Sequence, residues 1–160
     1  MRAQPKSGKT RRWSRGFTLT ELLIALAIVA ILTTVALPLY TNYQLRTHRT
    51  QAMADLSACA QALERFYTVN FTYVGAAAAF PGAPTVAGCS AVSPQNGTAR
   101  YNITVQAADA TTFTLRAAPV AGSPQAGNGA LELLATDERR WYRNSDDPDE
   151  TATVQNNWAE

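Results

Sequence analysis

A chain of 160 residues, 46% hydrophobic and 16% charged, has room for one domain with a modest core. Its formal charge of +2 is unevenly placed: residues 1–16 carry Arg2, Lys6, Lys9, Arg11, Arg12 and Arg15 and no acid, so eight of the 14 basic side chains are left to face all 12 acids, a balance of −4. That balance argues against a general polyanion binder, and one histidine with two cysteines is a poor ligand supply for a metal centre.

After the basic segment, residues 17–40 read FTLTELLIALAIVAILTTVALPLY, in which Glu21 is the only ionisable side chain apart from the Tyr40 phenol. At about 1.5 Å per residue this run spans a bilayer core of roughly 30 Å. The upstream positive charge keeps that end cytoplasmic. No A-x-A-like site follows the run, so it is not a conventional secretory signal. A plain single-pass anchor has no use for a carboxylate inside the run, where charge is costly and therefore functional by default, nor for Gly16 just before Phe17.

From Phe17 to about Tyr67 the chain contains no glycine and one proline, Pro38. Met53, Leu56, Ala60, Leu63 and Tyr67 recur at helical spacing, with Arg46, Arg49, Asp55, Glu64 and Arg65 mostly off that stripe. One helix on the order of 75 Å long is expected, apolar all round and then amphipathic, with Pro38 bending it or opening a hydrogen bond. Residues 75–98 are rich in Gly and Pro and read as a long loop. Cys59 and Cys89 lie on the non-cytoplasmic side, where disulfides persist; paired, they close a loop worth roughly 3–4 kcal/mol in the chain-entropy estimate. A reactive pair is the alternative, without a C-x-x-C motif or an activating base to support it. Strand patterns follow at 101–105, 112–116, 131–135 and 139–143. Four antiparallel strands packed on the amphipathic part of the helix make an α+β domain.

The string Gly16-Phe17-Thr18-Leu19-Thr20-Glu21 before an unbroken apolar helix resembles the processing signal of class III (type IV) prepilins. Leu63-Glu64-Arg65-Phe66-Tyr67-Thr68-Val69-Asn70, Thr72-Tyr73, Tyr101-Asn102-Ile103 and Phe113-Thr114-Leu115-Arg116-Ala117-Ala118-Pro119 are similar to PilE-type pilins, many of them minor pilins. The resemblance implies the type IV pilin fold, with a leader at 1–16, a transmembrane and polymerisation half-helix at 17–40 and a periplasmic or extracellular globular domain at 41–160. It implies cleavage between Gly16 and Phe17 by a prepilin peptidase, N-methylation of Phe17, and assembly roles for Glu21 and Pro38. The partners implied are other pilin subunits, the peptidase and an inner-membrane assembly platform. The subunit is expected first in the inner membrane with its N-terminus cytoplasmic, then in a surface fibre serving adhesion, twitching motility or DNA uptake. No cofactor is implied. Cleavage leaves a cationic amine on Phe17, and a carboxylate at Glu21 offsets part of the desolvation of both, setting subunit register.

Three departures from the family pattern stand out. Ala30 replaces a frequent glycine, and Thr33-Thr34 replace alanines. Asn128 and Asn157 occupy the places of a second cysteine pair, which leaves residues 144–157 mobile or held by the Trp158 ring.

Among the remaining motifs, Arg139, Arg140, Trp141 and Arg143 could contact DNA, as ComP-type minor pilins do, or form a strand whose charges discourage edge pairing. Asp146, Asp147, Asp149 and Glu150 lack calcium-loop spacing and include Pro148, which favours a solvated acidic loop. Catalytic signatures such as G-x-S-x-G, a Walker loop or H-E-x-x-H are absent, so an enzyme is not expected. A pseudopilin of a type II secretion system, which shares the leader and the glutamate, remains the rival to a pilus subunit.

Overall fold

A computed structural model of the protein describes residues 17–143, 145–146, 153–155 and 158. Two compact units divide the chain, Met1–Tyr40 and Thr41–Glu160. Helix α1, Leu19–Asn70, contributes to both.

The start of α1 is a capping box. The Thr18 hydroxyl accepts the Glu21 amide at 3.2 Å, and the Glu21 carboxylate accepts the Thr18 amide at 2.9 Å and its hydroxyl at 2.7 Å. Two amides that a helix N-terminus leaves orphaned are thereby satisfied. Within residues 19–40 the large apolar side chains are exposed on every side, Leu22, Ile24, Ile28, Ile31 and Leu32 among them. Pro38 sits inside a helix that continues through it. One turn earlier the Thr33 and Thr34 hydroxyls donate to the Val29 and Ile31 carbonyls, both at 2.7 Å. The helix stops where Phe71 enters the left-handed region at φ 55 while its amide still bonds the Tyr67 carbonyl at 2.8 Å.

In the second unit the buried face of α1 comprises Arg49, Ala52, Asp55, Leu56, Cys59, Ala62 and Leu63. Of the expected stripe, Leu56 and Leu63 are fully buried, whereas Met53, Ala60 and Tyr67 only flank the core. The face is rotated because small Ala52, Cys59 and Ala62 allow close approach. That rotation carries Arg49 and Asp55 inside, against expectation. Asp55 is kept polar company there, accepting the buried Ser93 hydroxyl at 2.5 Å and the Gln51 amide at 3.1 Å.

Among the described residues six strands form one antiparallel sheet in chain order: β1 Val92–Ser93, β2 Tyr101–Ala108, β3 Phe113–Pro119, β4 Ala130–Leu134, β5 Arg139–Arg143 and β6 Thr153–Gln155. The four expected strands are β2 to β5. The expected count is corrected by β1 and β6, whose two and three residues are too short to show alternation. Tyr101, Ile103 and Val105 of β2, Phe113, Leu115 and Ala117 of β3, and Leu131 and Leu133 of β4 share one core with Leu56 and Leu63 of α1.

The other face of the sheet carries a polar ladder in which Arg116 lies opposite Glu132 and Glu132 opposite Arg140. Glu132 is only 4% exposed, yet Arg116 donates to it at 2.9 Å and the Tyr142 hydroxyl at 2.7 Å. The segment after α1 is pinned rather than loose. Tyr73 stacks on Tyr67 and meets Phe113 edge-on, Ala76 and Ala77 are buried, Gly82 pairs with Val105, and a disulfide joins Cys59 to Cys89.

Candidate functional site

Gly16 lies outside the described residues, so only the Phe17 side of the expected cleavage position is on view. Phe17 is 87% exposed and precedes the helix, because the capping box begins α1 two residues later. Glu21 is exposed, and its carboxylate is engaged by Thr18 of the same chain. The T-x-x-E signature for this cap is plain in the sequence. An isolated subunit thus holds Glu21 as the third residue of a capped helix, aimed back toward the end that carries Phe17.

The basic residues of β5 do not act as one patch. Alternation sends Arg139, Trp141 and Arg143 to one side of the sheet and Arg140 and Tyr142 to the other. Arg139 pairs with Asp137 at 3.1 Å and Arg140 with Glu138 at 2.8 Å. Trp141 is buried, with its indole N–H donating to the Asn128 carbonyl at 3.1 Å, so the ring is no stacking platform for a base. Trp158 is buried too, donating to the Arg140 carbonyl at 3.2 Å with the Arg139 guanidinium over its ring. The expected mobility of 144–157 falls mostly outside the described residues, although Asp146 accepts the Gly127 and Gly129 amides at 2.8 and 3.2 Å. Asp147, Asp149 and Glu150 lie outside the described residues.

Instead, Trp141 anchors a cationic cluster that spans helix and sheet. The Arg49 guanidinium lies 4.0 Å from the indole centroid and donates to Asn128 Oδ1 at 3.1 Å, and Arg143 approaches the same ring at 5.5 Å. With Arg46 and Asn42 they line a recess of about 250 Å³. Burial holds the Arg49 pKa below its ordinary value; Tyr101 opposes that shift, and the charges of Arg46 and Arg143 add to it. Beneath it the Tyr101 hydroxyl accepts Gln125 Nε2 at 2.7 Å, and Gln125 also donates to the Leu45 carbonyl at 3.1 Å. Burial pushes Tyr101 up to about 12, against the opposing hydrogen bond from Gln125 and the charge of Arg49. Sequence reasoning missed Arg46 and Arg49 here, since a helical arginine gives no sign that an indole will cover it.

A family described as type IV minor pilin ComP, DNA uptake sequence receptor, matches residues 38–132, more than half of the chain. The chain belongs to this family of type IV pilins. In this pilin, residues 14–37 also match the prokaryotic N-terminal methylation motif. It is 46% identical over 50 residues to a fimbrial protein of Pseudomonas aeruginosa, covering 31% of this chain and 32% of that one. With the type IV major pilin protein PilA of Myxococcus xanthus it shares 37% identity over 60 residues, 38% of this chain and 27% of the relative. The type IV major fimbrial protein FimA of Dichelobacter nodosus is 40% identical over 50 residues, 31% and 32% of the two chains. The pilin thus spans about a third of the length of the curated relatives it matches.

Proposed function

We infer that this pilin is a minor, structural subunit of a type IV pilus with a part in DNA uptake. One observation carries the reading: a helix long and apolar enough to cross a bilayer, unburied by its own subunit, opens with a single carboxylate inside a methylation motif. Such a surface is stable only in lipid or against like helices, and the two environments are comparably apolar. Residues 1–16 are the leader, removed by the prepilin peptidase between Gly16 and Phe17, and Phe17 is then methylated. Residues 17–40 hold the subunit in the inner membrane, N-terminus inward, until the assembly platform transfers it to the fibre. There Glu21 exchanges its own Thr18 for a Phe17 amine and sets register, while Pro38 weakens the helix. The globular domain 41–160 faces outward. The subunit supplies no catalytic chemistry.

The family description favours DNA uptake over adhesion or motility. Exposed Arg139 and, on the opposite side of the sheet, half-buried Arg140 are the proposed DNA contacts, attenuated by Asp137 and Glu138. Mass spectrometry of the subunit from fibre preparations tests the assembly reading. The expected N-terminus is methylated Phe17; a fibre subunit that keeps residues 1–16, or absence from fibres, overturns it. Loss of transformation on deletion of the gene, with adhesion intact, tests the role in DNA uptake.

A further inference from the structure

The chain holds two Asn-Gly pairs, Asn96-Gly97 and Asn128-Gly129, and the fold treats them in opposite ways. In such a pair the glycine nitrogen can approach the preceding side-chain amide closely, because glycine puts no Cβ in the way. Asn96-Gly97 lies in the loop 94–99 between β1 and β2. Both residues are exposed, and Gly97 has φ +96 with nothing within 4 Å of where a Cβ would stand. Among the described residues neither the Asn96 side chain nor the Gly97 amide makes a hydrogen bond. The base of the loop is closed: the Arg100 amide donates to the Ser93 carbonyl at 2.8 Å, and Ser93 lies opposite Tyr101 in the sheet.

Asn128-Gly129 is held on every side. The Asn128 amide donates to the Gln125 carbonyl at 3.0 Å, its Oδ1 accepts Arg49 at 3.1 Å, and its carbonyl accepts the Trp141 indole N–H at 3.1 Å. Gly129 is buried, and its amide donates to Asp146 Oδ1 at 3.2 Å. The Tyr142 carbonyl oxygen stands 2.2 Å from where a Gly129 Cβ would be, so this backbone has little room to swing.

We propose that Asn96 is a self-modifying site: the Gly97 nitrogen displaces ammonia from the Asn96 side chain and water then leaves aspartate or isoaspartate, while the fold suppresses the same reaction at Asn128. The Gly97 nitrogen gives its proton to solvent and bonds to Asn96 Cγ. The Cγ–Nδ2 bond breaks, and Nδ2 leaves as ammonia with a proton taken back from solvent. The product is a cyclic imide, which water opens at either carbonyl. Cleaving the bond from nitrogen to Cγ yields aspartate; cleaving the bond from nitrogen to the Asn96 backbone carbonyl carbon yields isoaspartate, whose main chain runs through Cβ and Cγ. Nothing is oxidised or reduced, and water is the co-reactant. At Asn128 the Gly129 amide must first leave the Asp146 carboxylate, and freeing a hydrogen bond to a charged acceptor lowers the reactive population by about tenfold or more. The loop absorbs the longer main chain of isoaspartate, since strand pairing is set outside it, at Val92 with Asn102 and Ser93 with Tyr101. Each event adds one negative charge to residues 17–160, whose balance is already −4, so a subunit carries a charge record of its age.

The test incubates the full chain in detergent micelles at neutral and at mildly alkaline pH. Proteolytic peptides are read by mass spectrometry, with fragmentation that separates isoaspartate from aspartate. Asn96 is expected to convert to both products, faster at the higher pH, and Asn128 to convert about tenfold or more slowly. Asn70 is an internal reference: Phe71 follows it and its Nδ2 donates to the Phe66 carbonyl at 2.9 Å, so it should stay intact. In guanidinium chloride strong enough to unfold the chain, Asn128 should catch up with Asn96. An Asn96 that stays intact, equal rates at Asn96 and Asn128 in the folded chain, or aspartate without isoaspartate overturns the proposal. A gap between the two sites that persists in guanidinium chloride overturns the protective part of the fold.

Discussion

Gly129→Ala is the substitution whose cost follows most directly from the coordinates. Gly129 has φ +97, and a Cβ there would meet the Tyr142 carbonyl oxygen at 2.2 Å and Trp141 Nε1 at 2.9 Å. A left-handed backbone costs a residue with a Cβ about 1–2 kcal/mol. The clash is with backbone, so β5 must give way by about 1 Å, an overpacking of about 1–3 kcal/mol. Moving Tyr142 also drags Trp141 from the Asn128 carbonyl, a part-buried hydrogen bond worth about 1–3 kcal/mol when broken. The total expected loss is about 3–8 kcal/mol, a large share of the 5–15 kcal/mol typical of a domain. Urea unfolding of residues 41–160, followed by Trp141 and Trp158 fluorescence, measures it. Gly122 is the internal control: it has φ +75 but nothing within 4 Å, so Gly122→Ala should cost only the backbone part, about 1–2 kcal/mol. If the two variants unfold at the same urea concentration, the crowding of Gly129 against β5 is not what holds this end of the sheet.

Three further outcomes are expected. Glu21→Gln keeps a capping partner for the Thr18 amide but removes the charge, so fibre incorporation should fall further than in Thr18→Ala; immunoblots of sheared fibres decide, and the reverse order would make the cap the essential feature. Burial raises Tyr101 from an ordinary 10.0 to about 12, so below pH 10 both folded and unfolded chains hold the proton and nothing changes. Above it the unfolded chain ionises first, and stability should fall between about pH 10 and about 12 in urea titrations, with a shallower fall in Tyr101→Phe. Neutralising Asp137 and Glu138 as D137N/E138Q should strengthen salt-dependent duplex binding by the globular domain in gel shifts, because it frees Arg139 and Arg140 from their ion pairs; unchanged binding would remove both arginines from the DNA surface.

Helix length, the hairpin of β2 and β3 and the two strands after it were legible because each is long enough to display its period. The buried stripe was read one position away, since Leu and Met outweigh Ala and Cys in a hydrophobic pattern, while packing favours the small residues where a sheet comes close. Asp55 and Arg49 look solvated by type. Their partners Ser93 and Asn128 lie 38 and 79 residues away, beyond any local rule. Within the segment 75–98 read as a loop, Ala76 and Ala77 belong to the core, and Gly82 pairs with Val105 of β2 nearby. Glu21 was legible as unusual, but its cap was overlooked because the surrounding apolar run dominated the reading. The basic letters of β5 suggested one patch, and strand alternation with neighbouring acids dispersed it.

The contacts that close the lower end of the domain join its first turns to its last strands. Gln125 reaches back 80 residues to the Leu45 carbonyl, and Arg49 waits for Asn128 and Trp141. A polypeptide made from its N-terminus therefore exposes an unsheltered arginine helix throughout most of synthesis. Closure is a terminal event, so a chain truncated before β5 would lack its clasp however well its hairpin had formed.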